Sequence, residues 1–169
     1  MKFVKATVKD IDTVMQILSD ARGRIGRLGI DQWQYGYPTR DIIIEDVSLN
    51  RYYVAKNDDE EICAVFAMLE DGEPTYDKIY DGEWLVEGKA YVAVHRIAVS
   101  ANTLKSGVAS SVMRWVEEHA KEIGYSSVRI DTHVGNTPMR GMLEKNGYSM
   151  CGTIYLTDGE SRCAYEKLI

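Results

Sequence analysis

The sequence is short of cysteine, of long apolar runs and of positive charge. Its three cysteines, Cys63, Cys151 and Cys163, are an odd number with no C-x-x-C spacing. That argues against a disulfide framework and a zinc knuckle, and they read as buried thiols. No apolar run approaches the roughly 18 residues that a membrane-spanning helix needs. The start, Met1-Lys2-Phe3-Val4-Lys5, leads into polar residues instead of the apolar region of a signal peptide, so a cytoplasmic protein away from membranes is expected. Twenty basic residues against 26 acidic ones give a net charge of -6, which opposes general attraction to nucleic acid or anionic lipid and favours a small-molecule partner. Neither G-x-x-x-x-G-K-[ST] nor G-x-G-x-x-G occurs, so the common nucleotide-binding loops are not favoured.

What remains is a globular composition. With 45% apolar and 27% charged residues and a mean hydropathy of -0.27, the 169-residue chain is expected to form one domain around one core. Lys2 to Ala6 alternates as a short strand, and Thr7-Val8-Lys9-Asp10 offers a helix start at Thr7. Ile11, Val14, Met15, Leu18 and Ala21 continue at helical spacing, with Gly23 and Gly26 marking a bend or an end. An aromatic connector with Trp33, Tyr35 and Tyr37 precedes a second helix over Thr39 to Leu49. Arg51 to Lys56 and Ile62 to Leu69 predict an antiparallel hairpin around the acidic tip Asp58 to Glu61. Asp71 to Gly88 reads as an excursion. Tyr91 to Val99 predicts a strand, Gly107 to Ile123 an amphipathic helix stopped by Gly124, and Ser127 to Thr132 another strand. Thr137-Pro138 opens a short helix ending at Asn146-Gly147, and Tyr148 to Leu156 with Arg162 to Leu168 closes the chain as a hairpin. The element order implies an α/β domain with a mixed sheet of six or seven strands.

The chemistry concentrates between Tyr91 and Ile123, with Leu104-Lys105-Ser106-Gly107-Val108-Ala109 at its centre. N–H groups in the first turn of a helix lack intrahelical acceptors, and the peptide dipoles there favour negative charge. Small residues let a phosphate approach the backbone. By itself, Gly107 serves equally well as a residue easing a tight turn.

This strand, loop and helix, followed by a strand and by a helix opened at Asn136, resemble the GCN5-related N-acetyltransferase (GNAT) superfamily over nearly the whole chain. The resemblance implies a single acetyltransferase domain over residues 1–169, with a mixed, mostly antiparallel sheet of six or seven strands and about four helices. It implies acetyl-coenzyme A as cosubstrate, without a metal, and transfer of its acetyl group to an amine in a ternary complex. The family's loop, Q/R-x-x-G-x-G/A, corresponds to Leu104 to Ala109, so Leu104, Lys105, Ser106, Gly107, Val108 and Ala109 are the expected pyrophosphate contacts. Leu104 departs from the family's Gln or Arg, and Lys105 offers a charge beside it. The main chain of Ile97, Ala98 and Val99 is expected to pair with the pantetheine arm. Asn136 is assigned to the cofactor, with capping of its own helix as the alternative.

A second departure falls on Leu143, where many members carry a tyrosine that protonates the leaving thiolate. Tyr148 is assigned to the core. His95 is the expected base, by resemblance to the arylalkylamine N-acetyltransferase branch and because imidazole titrates near neutrality; a half-buried structural histidine is the alternative. His133 is the second candidate, and His119 is expected in solvent. Trp33 is the expected substrate contact, with core packing or a homodimer contact as the other uses of that ring. Arg22, Arg24 and Arg27 are expected on a solvated helix face. The rival to an enzyme is an acyl-coenzyme A binding or sensing protein of the same fold, and a homodimeric interaction module is a third reading.

Overall fold

The computed structural model describes residues 1–88 and 90–169. Among the described residues, seven strands and four α-helices are present: β1 (Lys2–Lys5), α1 (Ile11–Gly26), α2 (Arg40–Ser48), β2 (Tyr52–Lys56), β3 (Ile62–Leu69), β4 (Tyr91–Val99), α3 (Val108–Glu122), β5 (Ser127–Thr132), α4 (Thr137–Lys145), β6 (Ser149–Tyr155) and β7 (Ser161–Leu168). The strands are ordered β1-β2-β3-β4-β5-β7-β6 in a mixed sheet, the acetyltransferase architecture expected above. Two compact units share β4: Met1–Met68 with Arg96–Val112, and Leu69–His95 with Met113–Ile169.

In the first unit, β2 pairs antiparallel with both β1 and β3. The periodic residues of α1, Val14, Ile17, Leu18 and Ala21, pack with Ile43 of α2 onto Tyr52, Val54, Val65, Ala67 and Ala98. Thr7 does not itself start an α-helix. Its N–H and hydroxyl both donate to the Asp10 carboxylate at 2.8 Å, and a 3-10 turn over Val8–Asp10 leads into α1. Gly23 does not interrupt α1, which ends at Gly26, the second of the two glycines expected to mark a bend or an end.

In the second unit, Tyr91 to Val94 run parallel to Ser127 to Ile130, while β7 pairs antiparallel with β5 along its whole length and with β6. A buried ion pair organises this half. Glu166 accepts from Ser127 Oγ, Arg129 Nε and the Leu85 and Val86 N–H groups, so its carboxylate is fully engaged. The Arg129 guanidinium lies 4.2 Å from the Trp84 ring centroid and 3.9 Å from that of Tyr91. Every lone pair and the delocalised charge thus find partners, which a buried ion pair requires to offset lost hydration. The excursion between β3 and β4 is held into this unit by the Tyr80–Thr153 bridge and by the Tyr76 hydroxyl on Asp131, and is braced internally by the Trp84 indole N–H donating to the Tyr76 carbonyl at 2.9 Å.

Candidate active site

β4 changes character halfway along. Its parallel register with β5 ends at Val94–Ile130, and His95 to Val99 extend past it. Arg96 then takes φ +53°, a left-handed conformation that L side chains adopt only when the surroundings enforce it. The enforcement is visible. Arg96 Nη1 is 2.7 Å from Asp46, whose fully buried carboxylate also receives Arg51 at 2.7 Å. Arg96 Nε donates to Tyr37 Oη at 2.9 Å, and Tyr52 Oη donates to the Arg96 carbonyl at 3.4 Å. Burial and the neighbouring Asp46 charge push the Tyr52 hydroxyl pKa far up, so it stays a neutral donor.

Arg24 of α1 donates to the Val99 carbonyl at 2.6 Å, and burial lowers the pKa of its guanidinium. Arg22 donates to the carbonyls of Gly36, Tyr37 and Pro38. The expectation of a solvated arginine face is therefore corrected for both: unsatisfied carbonyls at a strand end and in a connector recruit them. Trp33 is half-buried and packs against the α1–α2 core, while Tyr35 is 89% exposed.

After β4, a 3-10 turn over Ala101–Thr103 is tied down by the Thr103 hydroxyl on the Cys63 carbonyl. Lys105 and Gly107 both have positive φ, +60° and +81°. Ser106 Oγ donates back to the Thr103 carbonyl at 2.5 Å. A Cβ on Gly107 would meet nothing within 4 Å, so the space over this backbone is open. Ser111 N–H makes the first bond of α3, to the Gly107 carbonyl, which leaves the Val108 and Ala109 N–H groups ahead of it. Left-handed residues directly ahead of a helix N-terminus turn main-chain N–H groups toward a common point, a geometry suited to an anion. The residues present thus fit a pyrophosphate. Leu104 brings an exposed apolar side chain to this loop where a polar one would serve better.

His95 sits on the other compact unit, in surroundings the sequence did not disclose. Its Nε2 is buried without a hydrogen bond and lies 3.4 Å from Glu73 Oε2. The other oxygen, Glu73 Oε1, accepts from the Thr75 N–H and hydroxyl, and the Glu73 N–H donates to Tyr91 Oη at 3.1 Å. The Tyr76 ring stacks on the imidazole at 5.8 Å with a 27° interplanar angle. Its hydroxyl donates to Asp131 Oδ2 at 2.7 Å, and burial, then Asp131, push its pKa well up. Strand alternation and the β4–β5 register place His95 and Asp131 on one face, a relation that alternation alone does not give without the register; Glu73 and Tyr76 lie in the excursion, where no periodic pattern marks them.

The remaining candidates have structural partners. His133 Nδ1 accepts from the Gly135 N–H at 2.9 Å. His119 is not simply in solvent: half-buried, it stacks on Trp115 at 4.8 Å. Asn136 caps α4 by accepting from the Met139 N–H at 3.2 Å. Leu143 and Tyr148 are buried, and burial beside Glu117 raises the Tyr148 pKa strongly. Among the described residues, no group of three His, Cys, Asp or Glu side chains is placed to hold a metal ion, and no helix is long and apolar enough to cross a membrane.

Residues 13–148 match the acetyltransferase (GNAT) family model. A GNAT-family acetyltransferase structure from Streptococcus agalactiae is 35% identical, with a TM-score of 0.91 over 99% of this chain and 95% of that one. A GNAT-family structure from Listeria monocytogenes, 15% identical, has a TM-score of 0.77 over 99% of this chain and 94% of that one, a likeness of fold. A Xenopus tropicalis protein named "Probable N-acetyltransferase 14" is 26% identical over 106 residues, 63% of this chain. The chain matches 44% of the length of that curated relative. With four helices, a seven-stranded mixed sheet in this strand order and a family match across most of its length, the chain belongs to the GNAT acetyltransferase family.

Proposed function

We propose that the chain, as one domain over residues 1–169, transfers the acetyl group of acetyl-coenzyme A to an amine by direct attack in a ternary complex, in the cytoplasm and without a metal. The observation that carries this reading is the left-handed backbone at Lys105 and Gly107, directly before α3, with open space beside Gly107 where a Cβ would stand. Leu104 to Ala109 hold the pyrophosphate through main-chain N–H groups, and Lys105 adds a positive charge. Ile97 to Val99 lie past the end of the β5 register and offer main-chain groups to the pantetheine arm. Because Arg24 already occupies the Val99 carbonyl, N–H groups and the Ile97 carbonyl are the better partners. Asn136 adds a cofactor contact from the start of α4, and Trp33 contributes to the acceptor side.

Bound acetyl-coenzyme A supplies an activated thioester. An ammonium acceptor must first lose a proton, and the His95 imidazole takes it, directly or through water. A main-chain N–H near Ile97 to Val99 polarises the carbonyl. No tyrosine stands at position 143 to protonate the leaving thiolate. Its low basicity lets solvent serve, with positioning supplying much of the rate.

The experiment has two parts. Native mass spectrometry of the purified protein should show coenzyme A or its acetyl form. Thiol release should then appear with at least one of phenethylamine, spermidine, a free amino acid and a lysine-containing peptide. Leu104 and Leu143 favour one second reading, an acyl-coenzyme A sensor, which predicts tight binding with no amine-dependent release. Absence of coenzyme A binding would sink both and leave an interaction module, such as a homodimer through the Trp33 segment.

A further inference from the structure

We propose that Glu73 is a positioning residue for His95: it holds a proton on Nε2, so that Nδ1 presents the free electron pair that accepts the amine proton. The proposal deepens the reading of His95 as base and rests on it.

The two carboxylate oxygens of Glu73 have separate duties. Oε1 accepts from the Thr75 N–H at 3.1 Å and from its hydroxyl at 2.9 Å, while Oε2 faces His95 Nε2 at 3.4 Å. An ionised carboxylate only accepts hydrogen bonds, so the nitrogen facing it must carry hydrogen. Nε2 is buried and Glu73 is its acidic neighbour, which leaves Nδ1 as the nitrogen open to a substrate. At 3.4 Å the two groups are in ion-pair range without a formed hydrogen bond, and hydrogen bonds of catalytic groups are often long or poorly aligned before substrate binds. Glu73 is fixed independently of His95, because its N–H donates to Tyr91 and Thr75 binds its other oxygen. Stacking by Tyr76 fixes the imidazole plane, and the Tyr76 hydroxyl engages Asp131.

The proton account closes. Two N–H bonds of the ammonium break in turn. The first proton moves to Nδ1, and the freed electron pair forms the bond to the thioester carbon as the carbonyl pair moves onto oxygen. The carbonyl then re-forms and the C–S bond breaks with its electrons on sulfur, while the second proton passes from the positively charged nitrogen to the thiolate, directly or through solvent. The Nδ1 proton leaves to solvent, and the Nε2 proton never moves.

The test uses the full chain. Nitrogen-15 spectra of neutral His95 should show the Nε2–H tautomer. In Glu73→Gln the amide oxygen keeps the Thr75 bonds and the amide NH2 replaces Oε2, a donor where an acceptor stood. The imidazole should then shift to Nδ1–H, and kcat should fall at least tenfold with coenzyme A affinity unchanged. Glu73→Asp should restore part of the rate. An Nδ1–H tautomer in the unmodified protein overturns the proposal even if Glu73→Gln fails to fold. So does wild-type kcat in Glu73→Gln when His95→Gln is slow, whereas full turnover in His95→Gln overturns the base reading itself.

Discussion

Asp46 and Arg96 meet at 2.7 Å with the carboxylate fully buried, and the arginine they immobilise is the left-handed residue of β4. Asp46 lies on α2 and receives Arg51 as well, so one carboxylate pairs with two guanidinium groups, one on each oxygen. This ion triad, with Tyr37 and Tyr52 on the remaining polar atoms, holds a backbone conformation that costs about 1–2 kcal/mol for an L residue. The direction of Ile97 to Val99 follows from it.

Asp46→Asn should therefore lower stability by about 3 kcal/mol, since removing one partner of a buried pair leaves charge uncompensated. Urea unfolding of both proteins gives the difference. A loss under about 1 kcal/mol would mean that Tyr37 and Tyr52 suffice to hold Arg96.

A Cβ at Gly107 meets no atom within 4 Å, but Gly107→Val forces a β-branched residue to φ +81°. It should cost about 1–2 kcal/mol of stability and weaken coenzyme A binding at least tenfold, about 1.4 kcal/mol. Calorimetric titration below the unfolding transition separates the two effects. Unchanged affinity in the folded variant would remove the proposed pyrophosphate loop.

His95→Gln keeps hydrogen-bonding capacity but takes no proton near neutrality. Its kcat should drop about 10²-fold, with coenzyme A affinity nearly unchanged and the acidic limb of the rate profile flattened. Steady-state rates across pH with an active acceptor decide this; an intact acidic limb would pass the role to His133 or to a water chain.

Tyr76 makes stability fall in alkali. Burial, then Asp131, raise its hydroxyl pKa in the folded protein above the ordinary value of 10. Below that value both states are protonated and its contribution is whole. Above it the unfolded chain loses the proton first, so stability drops by about 1.4 kcal/mol per pH unit for this group. Tyr76→Phe should be less stable at pH 7 through its lost hydrogen bond, and the gap to wild type should narrow above pH 10. A constant gap would show that Tyr76 ionises normally.

Element types were legible because they depend on local pattern. The α1 stripe of Val14, Leu18 and Ala21 packs inward as its spacing requires, and Pro138 and Gly147 bracket α4 as expected. Partners across long sequence separations were not legible. Nothing local ties Asp46 to Arg96, 50 residues away, or marks Glu73 as the neighbour of His95. The arginines of α1 illustrate the same limit: helical spacing says which way Arg22 and Arg24 leave the helix, whereas tertiary placement alone brings carbonyls to meet them. For the pyrophosphate loop, the resemblance indicated the segment, and the paired positive φ values at Lys105 and Gly107 supply the physical reason it suits an anion.

Gly82 admits no side chain, because a Cβ there would collide with the Cys151 carbonyl. With Tyr80 bridged to Thr153 and Tyr76 packed with Ile154, the segment from residue 71 to 88 is moored to the C-terminal hairpin at and just after the turn that carries Glu73 and Tyr76. Such a segment behaves as masonry instead of a door. Changes in its length would therefore disturb two sites at once, the surroundings of His95 and, through the Leu85 and Val86 N–H groups, the buried carboxylate of Glu166 on β7.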